Sequence, residues 1–294
     1  CKYAPITAPD GGMLSDPIIL RLDDERYWLS TSDWDLETSA RGVSINAGMQ
    51  VSIRDANVGL LQDQGPKSPT VMAETFGQDI LDLKYYWLTR APFKTTSVVV
   101  SRTGWSGEFG YEIYLEDPAF SDALFDALME AGKGVGLAPG AVNQIRRIEA
   151  GILSAGVDFT PAETPFDVGL GRLVEFESGA AFLGREALFS KKDEPRDKQL
   201  VGLIIEGPSL SPNEDVWPLK SDGEEAGRLT SLAYSPRLGS NIGLGLASNA
   251  FAGPGTRLDV STWDGWRTAT VTGLPFLAKK QAGEARALMG GNRA

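Results

Sequence analysis

Asp16 and Glu112 are the two carboxylates whose neighbours could put them to chemical use. Asp16 closes the segment Asp10-Gly-Gly-Met-Leu-Ser-Asp16-Pro17, a glycine turn that delivers a carboxylate onto the start of a strand. It is either a surface aspartate behind a hairpin turn or a proton acceptor and hydrogen-bond anchor pointing into a cleft. Glu112 belongs to SRTGWSGEFGYEIY, residues 101–114, which sets five glycines or serines beside two carboxylates and four aromatic rings. Side chains alternate along a strand, so Glu112 and Tyr114 share one face while Tyr111 and Ile113 share the other. A partly buried carboxylate must be paired or hydrogen-bonded to stay charged. Such a group can grip an N–C–N fragment of a heterocycle through two parallel hydrogen bonds, with a neighbouring ring covering the heterocycle's face. The competing role for Glu112 is a solvated cross-strand ion pair, and spacing alone allows both.

Two absences narrow the chemistry further. The chain of 294 residues has no histidine, and Cys1 is its only cysteine. That excludes a Ser-His-Asp triad, a Cys-His pair and the usual zinc sites, so no metal is expected. Acid–base work falls to Asp, Glu, Tyr, Lys, Arg or the ligand itself. A lone cysteine forms no internal disulfide, which makes the cytoplasm the default compartment. The formal charge of −11 argues against a nucleic-acid partner but is compatible with a local basic groove for a small anion. No apolar run approaches the ~18 residues needed to span a bilayer, so no membrane partner is expected. Arg146-Arg147-Ile-Glu149 has the character of a solvated ion-pair face on a helix. The glycines of GVGLAPG, residues 134–140, lack the leading strand of a dinucleotide fingerprint, and no GxxxxGK[ST] occurs.

The elements that must position these residues follow from periodicity and turn chemistry. The chain is long enough for two domains, or one with a lobe, and its 42% hydrophobic and 23% charged residues are ordinary for a globular protein. Met13–Leu22 reads as a strand with Pro17 at an edge or bulge, and Arg26–Ser30 as its hairpin partner. Asp33–Ala40 carries helical spacing behind an Asp or Ser cap. Val51–Ile53 and Val58–Gln62 are short strand candidates, and Gln64–Pro69 is a turn feeding a helix from about Thr70. Thr95–Arg102 and Gly110–Leu115 make a strand–turn–strand around the quoted loop. Asp117–Gly132 is an amphipathic helix with Ala119, Leu124, Phe125 and Leu128 as its apolar contacts, and Ala141–Ala150 a second helix. A charged linker over Ser190–Lys198 precedes short strands punctuated by Gly and Pro, the pattern of a small all-β barrel. The expected organisation is 1–195, a barrel at 196–280, and a frayed polar tail at 281–294.

In order along the chain, GGMLSDP (11–17), LQDQGPKSP (61–69), SRTGWSGEFGYEI (101–113), RRIEAGILSAGVDFTPAETP (146–165), AFLGREAL (181–188), GRLTSLAYSPRLGSNIGLGLA (227–247) and LPFL (274–277) resemble the glycine-cleavage T-protein, or aminomethyltransferase, family of tetrahydrofolate-dependent one-carbon enzymes. The resemblance implies an α+β fold: a folate-binding T-protein-type region of mixed sheets with helices, followed by a small C-terminal β-barrel. It also implies that family residues normally precede Cys1. By the same resemblance Asp16 sits near the reacting N5–N10 edge of folate as the catalytic carboxylate. Glu112 would grip the pterin ring, with Trp105 and Tyr114 lining the same cavity.

Departures from the family pattern bear on the substrate. Trp105-Ser106, Pro17 and Tyr114 look like the branch that demethylates dimethylsulfoniopropionate, whereas Gly107-Glu108 looks like a T-protein. Asn143 stands where T-proteins tend to carry an arginine, and Arg172 where they carry an aromatic residue; both count against transfer from a lipoyl arm. The implied activity is methyl transfer from a small charged donor such as dimethylsulfoniopropionate to N5 of tetrahydrofolate. Arg172 would meet the donor's carboxylate or the folate tail, and Trp105 and Tyr114 a cationic donor. The alternatives are an aminomethyltransferase working with a lipoyl carrier protein, or a non-catalytic folate-binding assembly factor.

Overall fold

The computed structural model describes residues 1–31, 36–278 and 285–290. Five short strands open the chain: β1 (Lys2–Tyr3), β2 (Ile6–Thr7), β3 (Met13–Ser15), β4 (Ile18–Arg21) and β5 (Tyr27–Ser30). β4 lies between β1 and β5 in one small antiparallel sheet, and β2 pairs with β3. The single strand predicted over Met13–Leu22 is therefore two, broken at Asp16-Pro17, because proline has no N–H to give a ladder. Helix α1 (Leu36–Asn46) runs past the predicted end at Ala40, and its expected cap falls outside the described residues. The predicted strand at Val51–Ile53 is irregular; Val51 is exposed and has no ladder partner.

The scaffold of the N-terminal region is an antiparallel sheet in the order β6 (Gly59–Gln64), β9 (Gly110–Leu115), β8 (Thr96–Ser101), β7 (Leu88–Phe93). Val98 and Val100 on β8 and Tyr111, Ile113 and Leu115 on β9 pack against Val71 and Met72 of α2 (Ser68–Phe76) and Leu124 and Leu128 of α3 (Ser121–Gly132). The alternate residues Val99 and Tyr114 face the other way, onto Leu20 and Trp28 of the small sheet. With both faces covered, β8 has no polar alternation, and its β-branched run is what such a setting favours. On α3 the small residues Ala123, Ala127 and Ala131 complete the packed face, while Ala119 and Phe125, predicted to do so, are exposed. Phe125 follows Leu124 and is rotated about 100° from it, away from the sheet.

Helix α4 (Gln144–Glu149) is shorter than predicted because Asn143 caps it, accepting from the Arg146 N–H at 3.3 Å. After α5 (Arg185–Lys191) the chain enters a closed barrel of six antiparallel strands: β10 (Lys198–Ile205), β11 (Trp217–Ser221), β12 (Glu224–Ser235), β13 (Ser240–Ser248), β14 (Arg257–Thr262) and β15 (Gly265–Thr272). Leu203, Leu219, Leu229, Val260 and Val271 belong to its core. Ala233, Ile242 and Leu244 on β12 and β13 pack instead against Met13, Ile148, Leu153 and Phe159, fixing the barrel to the region that carries Asp16. Burying each large apolar side chain there contributes roughly 1.5–3 kcal/mol. The α+β region followed by a β-barrel is thus the architecture expected from the sequence.

Part of the expected frayed tail is ordered. Helix α6 (Ala285–Gly290) buries Ala285 in the sheet–helix core, and Arg286 donates to both carboxylate oxygens of Asp82 at 2.7 and 2.8 Å. One alanine and one ion pair leave almost no periodic trace in a polar sequence. Among the described residues no helix is long and apolar enough to cross a membrane.

Candidate functional site

Asp16 sits in the break between β3 and β4, held there by close backbone docking. A Cβ on Gly12 would meet the Pro161 carbonyl oxygen at 2.1 Å, so only glycine allows the approach that lets the Met13 N–H donate to Glu163 O at 2.8 Å. The Tyr3 hydroxyl on β1 donates to Asp16 Oδ2 at 2.7 Å. Burial pushes the Asp16 carboxyl up to about 7; the Tyr3 bond and Arg147 oppose the rise and Asp158 adds to it. A carboxyl so placed exchanges a proton readily at neutral pH.

Glu112 is buried on β9, directly across the ladder from Gln62 on β6. Gln62 Nε2 donates to Glu112 Oε1 at 2.9 Å, while Oε2 accepts from Thr103 and, at 3.4 Å, from the Tyr114 hydroxyl. Burial raises the Glu112 pKa and these three donors pull it back. A solvated cross-strand ion pair is therefore not what the structure contains. Tyr114 shares the Glu112 face as alternation requires, but its ring is only 3% exposed and packs on Trp28 at 5.7 Å between centroids. It offers Glu112 a hydroxyl rather than offering a ligand the ring face that the sequence suggested.

The loop carrying Trp105 is clamped by Gln64, a residue that spacing did not single out. Gln64 Nε2 donates to Tyr111 O at 3.1 Å and Thr103 O at 3.3 Å, and its Oε1 accepts from the Ser106 hydroxyl at 2.7 Å. A Cβ on Gly104 would lie 2.4 Å from the Gln64 amide, so glycine precedes Trp105 to make room for that clamp. The Trp105 indole N–H donates to Leu153 O at 3.4 Å, and the Arg147 guanidinium stands 5.3 Å from its ring centroid.

Arg147 and Glu149 are buried, 2% and 1% exposed, which corrects the expectation of a solvated ion-pair face. Arg147 donates to Asp158 Oδ2 at 2.7 Å and to Ser231 Oγ at 2.8 Å, while Asp158 Oδ1 accepts from Thr230 and Ser231. Glu149 accepts from Ser235 and Arg237, and Glu163 from Lys198 and Arg228. Sequence spacing could not show this, because apart from Asp158, 11 residues from Arg147, these partners lie on the barrel, more than 30 residues away.

Arg172 falls in a 3-10 turn, Gly171–Leu173, and is exposed, with no ion pair among the described residues. It lies close enough to Tyr3 and Tyr86 to lower the pKa of both hydroxyls, against a larger rise from burial. Tyr86 also feels Glu112 and adopts a left-handed φ of 61°, an uncommon conformation for a bulky residue. Tyr3 and Tyr86 thus link Asp16, Glu112 and Arg172 electrostatically, and Trp105 joins them through Arg147 and Asp158. Tyr3, Gln62, Thr103 and Tyr86 escaped the sequence reading because they are bland in isolation; Gln62 meets Glu112 only across the β6–β9 ladder, and Tyr3 meets Asp16 only through tertiary contact.

These groups lie on an α+β region whose buried carboxylates are tied to a closed barrel. The fold matches the crystal structure of glycine cleavage system aminomethyltransferase T from Bartonella henselae, with a TM-score of 0.80 over 95% of this chain and 76% of that one, at 23% identity. Family models match in the same order: the GCVT N-terminal domain over residues 1–178 and the glycine cleavage T-protein C-terminal barrel domain over 198–277. The chain belongs to the glycine cleavage T-protein family of folate-dependent one-carbon transferases. Similar proteins include dimethylsulfoniopropionate demethylase DmdA of Ruegeria pomeroyi, 36% identical over 92% of this chain and 74% of that protein. The aminomethyltransferases of Halothermothrix orenii (31% identical; 94% of this chain, 77% of that one) and Streptomyces avermitilis (34%; 95% and 77%) are further relatives.

Proposed function

We propose that this protein moves a methyl group from a small charged donor, such as dimethylsulfoniopropionate, to N5 of tetrahydrofolate. The residues present suit the pterin. A carboxylate offers about four lone-pair positions. Gln62 and Thr103 take one on each oxygen of Glu112, leaving one on each for a pair of ring N–H donors, with the Tyr114 hydroxyl at the long distance of 3.4 Å. When bound, tetrahydrofolate supplies N5 as the nucleophile, and the departing sulfur keeps the bonding pair.

The observation that carries the donor assignment is Arg172: a guanidinium without an ion pair among the described residues, beside the Tyr3–Asp16 hydrogen bond. A donor with a carboxylate at one end and a sulfonium at the other is satisfied by Arg172 at the first and by Asp16 with Trp105 at the second. A sulfonium is an activated leaving group, so positioning rather than a strong acid carries most of the work. Asp16 is available to take a proton at Oδ1, since Tyr3 already occupies Oδ2. The cytoplasm is the proposed setting, on the strength of the single cysteine.

A second activity, aminomethyl transfer from a lipoyl carrier protein, is supported by the relatives that bear the aminomethyltransferase name and by Gly107-Glu108 in the Trp105 loop. The two are separated by incubating the protein with tetrahydrofolate and either dimethylsulfoniopropionate or an aminomethylated lipoyl carrier, then identifying the folate by mass spectrometry. Methyl-tetrahydrofolate from the sulfonium is the expected product. Methylene-tetrahydrofolate from the carrier, with nothing from the sulfonium, refutes the proposal. Arg172→Ala should raise the KM for the donor while leaving tetrahydrofolate affinity unchanged.

A further inference from the structure

The Glu112 side of the site holds one more polar group than a carboxylate clamp needs. Gln62 stands across the β6–β9 ladder from Glu112, and its side chain is exposed whereas Glu112 is buried. Its amide nitrogen carries two hydrogens. One is directed at Glu112 Oε1 at 2.9 Å, and among the described residues no acceptor takes the second. On the opposite side, Oε2 accepts from the Thr103 hydroxyl, while the Tyr114 hydroxyl reaches it only at 3.4 Å, so Oε2 keeps a position for a further donor. The rim therefore presents, in sequence, an acceptor (Oε2), an acceptor (Oε1) and a donor (Gln62 Nε2).

We propose that Gln62 is a specificity residue that reads the 4-oxo group of the pterin, extending the Glu112 clamp from two hydrogen bonds to three. The complementary edge of a 2-amino-4-oxo pterin runs donor, donor, acceptor: the 2-amino hydrogen, the N3 hydrogen and the 4-oxo oxygen. Matched in order, the two ring donors meet the Glu112 oxygens and the 4-oxo oxygen meets the second Gln62 hydrogen. A 4-amino ring breaks the match, because it sets a donor against the donor of Gln62 and leaves N3 without its hydrogen. Unpaired polar groups of this kind discriminate between ligands more strongly than missing apolar contacts do. The Thr103 bond to Oε2 holds the carboxylate in one orientation and leaves room for the 2-amino hydrogen, so that Gln62 alone completes the array.

This inference rests on Glu112 as the pterin clamp, and the experiment tests the two separately. Titration calorimetry under anaerobic conditions compares tetrahydrofolate with tetrahydroaminopterin, its 4-amino counterpart, on the wild-type chain, Gln62→Met and Glu112→Gln. Methionine keeps the length of Gln62 at an exposed position and removes the amide, and a thermal melt confirms that the variant is folded. The wild type is expected to prefer the 4-oxo ligand. Gln62→Met should lose about 3- to 10-fold in tetrahydrofolate affinity, the worth of one hydrogen bond, with no matching loss for the 4-amino ligand. The preference ratio then collapses toward one. Equal losses for both ligands would mean that Gln62 merely steadies Glu112, and overturn the proposal, as would a wild type that binds the two equally. Undiminished binding of both ligands by Glu112→Gln removes the clamp itself and the inference with it.

Discussion

Asp63 offers a direct test of how burial governs the carboxylates of this fold. It lies on β6 opposite Tyr111, one register step from the Gln62–Glu112 pair, but its side chain points to the helix-covered face of the sheet. Only 5% of it is exposed, Ser68 donates to Oδ1 at 3.2 Å, and Oδ2 has no partner among the described residues. Burial raises its pKa from an ordinary 3.8 to about 7, with the Ser68 bond opposing the rise. Moving the carboxyl from 3.8 to about 7 corresponds to roughly 4 kcal/mol. The folded state then holds a proton that the unfolded chain has released, so stability falls as pH climbs from about 4 to about 7, and the full penalty persists above that. Asp63→Asn removes the titrating group while preserving shape. Urea melts at pH 4.5, 6 and 8 should show the variant gaining on the wild type as pH rises, by up to roughly 4 kcal/mol at pH 8. Asp16, also raised to about 7, titrates in both proteins and cancels from the difference. A stability difference that stays constant across the three pH values, or a variant weaker than wild type at pH 8, refutes the reasoning.

Three further outcomes are expected. Glu112→Ala should lower tetrahydrofolate affinity at least ~100-fold, the loss of two charge-assisted hydrogen bonds, with circular dichroism unchanged; calorimetry showing wild-type affinity would rule out the clamp. Trp105→Ala should raise the KM for a sulfonium donor by roughly 3- to 30-fold, in keeping with a cation–π contact, and affect folate affinity less; equal effects would make the ring a wall of the pterin pocket only. Glu163 is buried, which raises its pKa, but bonds from Lys198, Thr160 and Arg228 outweigh that and hold it at about 2. Because the folded pKa lies below the usual carboxylate value, its stabilisation is present above about pH 4.5 and disappears as pH falls toward 2. Glu163→Gln should therefore flatten the acid limb of the stability curve between those values, and acid titration followed by fluorescence would show whether it does.

The legible parts of the sequence were those with local signatures. β9 was found at Gly110–Leu115 to the residue, because a β-branched partner strand and a glycine-rich turn frame it. Glu112 and Asp16 were visible because each sits in a turn-and-strand setting that constrains its direction. What stayed hidden depends on pairings distant in sequence. Gln62 meets Glu112 across 50 residues of chain, and Tyr3 meets Asp16 through a strand of two residues, too short to carry periodicity. Arg147 and Glu149 looked solvated because helical spacing says nothing about a barrel that arrives 84 and 86 residues later. Tyr114 shows the opposite error: alternation placed it correctly, but only the neighbouring sheet reveals that Trp28 already occupies its ring.

The three buried carboxylates Glu149, Asp158 and Glu163 reach across to the barrel, each to its own pair of residues: Ser235 and Arg237, Thr230 and Ser231, Lys198 and Arg228. Such a seam makes the barrel a poor candidate for modular exchange. A chimera that joined this N-terminal region to a relative's barrel would have to carry all six partners with it, or strand an uncompensated negative charge in the joint. Arg147 belongs to the same seam and lies beside the Trp105 ring, so an imperfect graft would register first as disorder in the Trp105 loop.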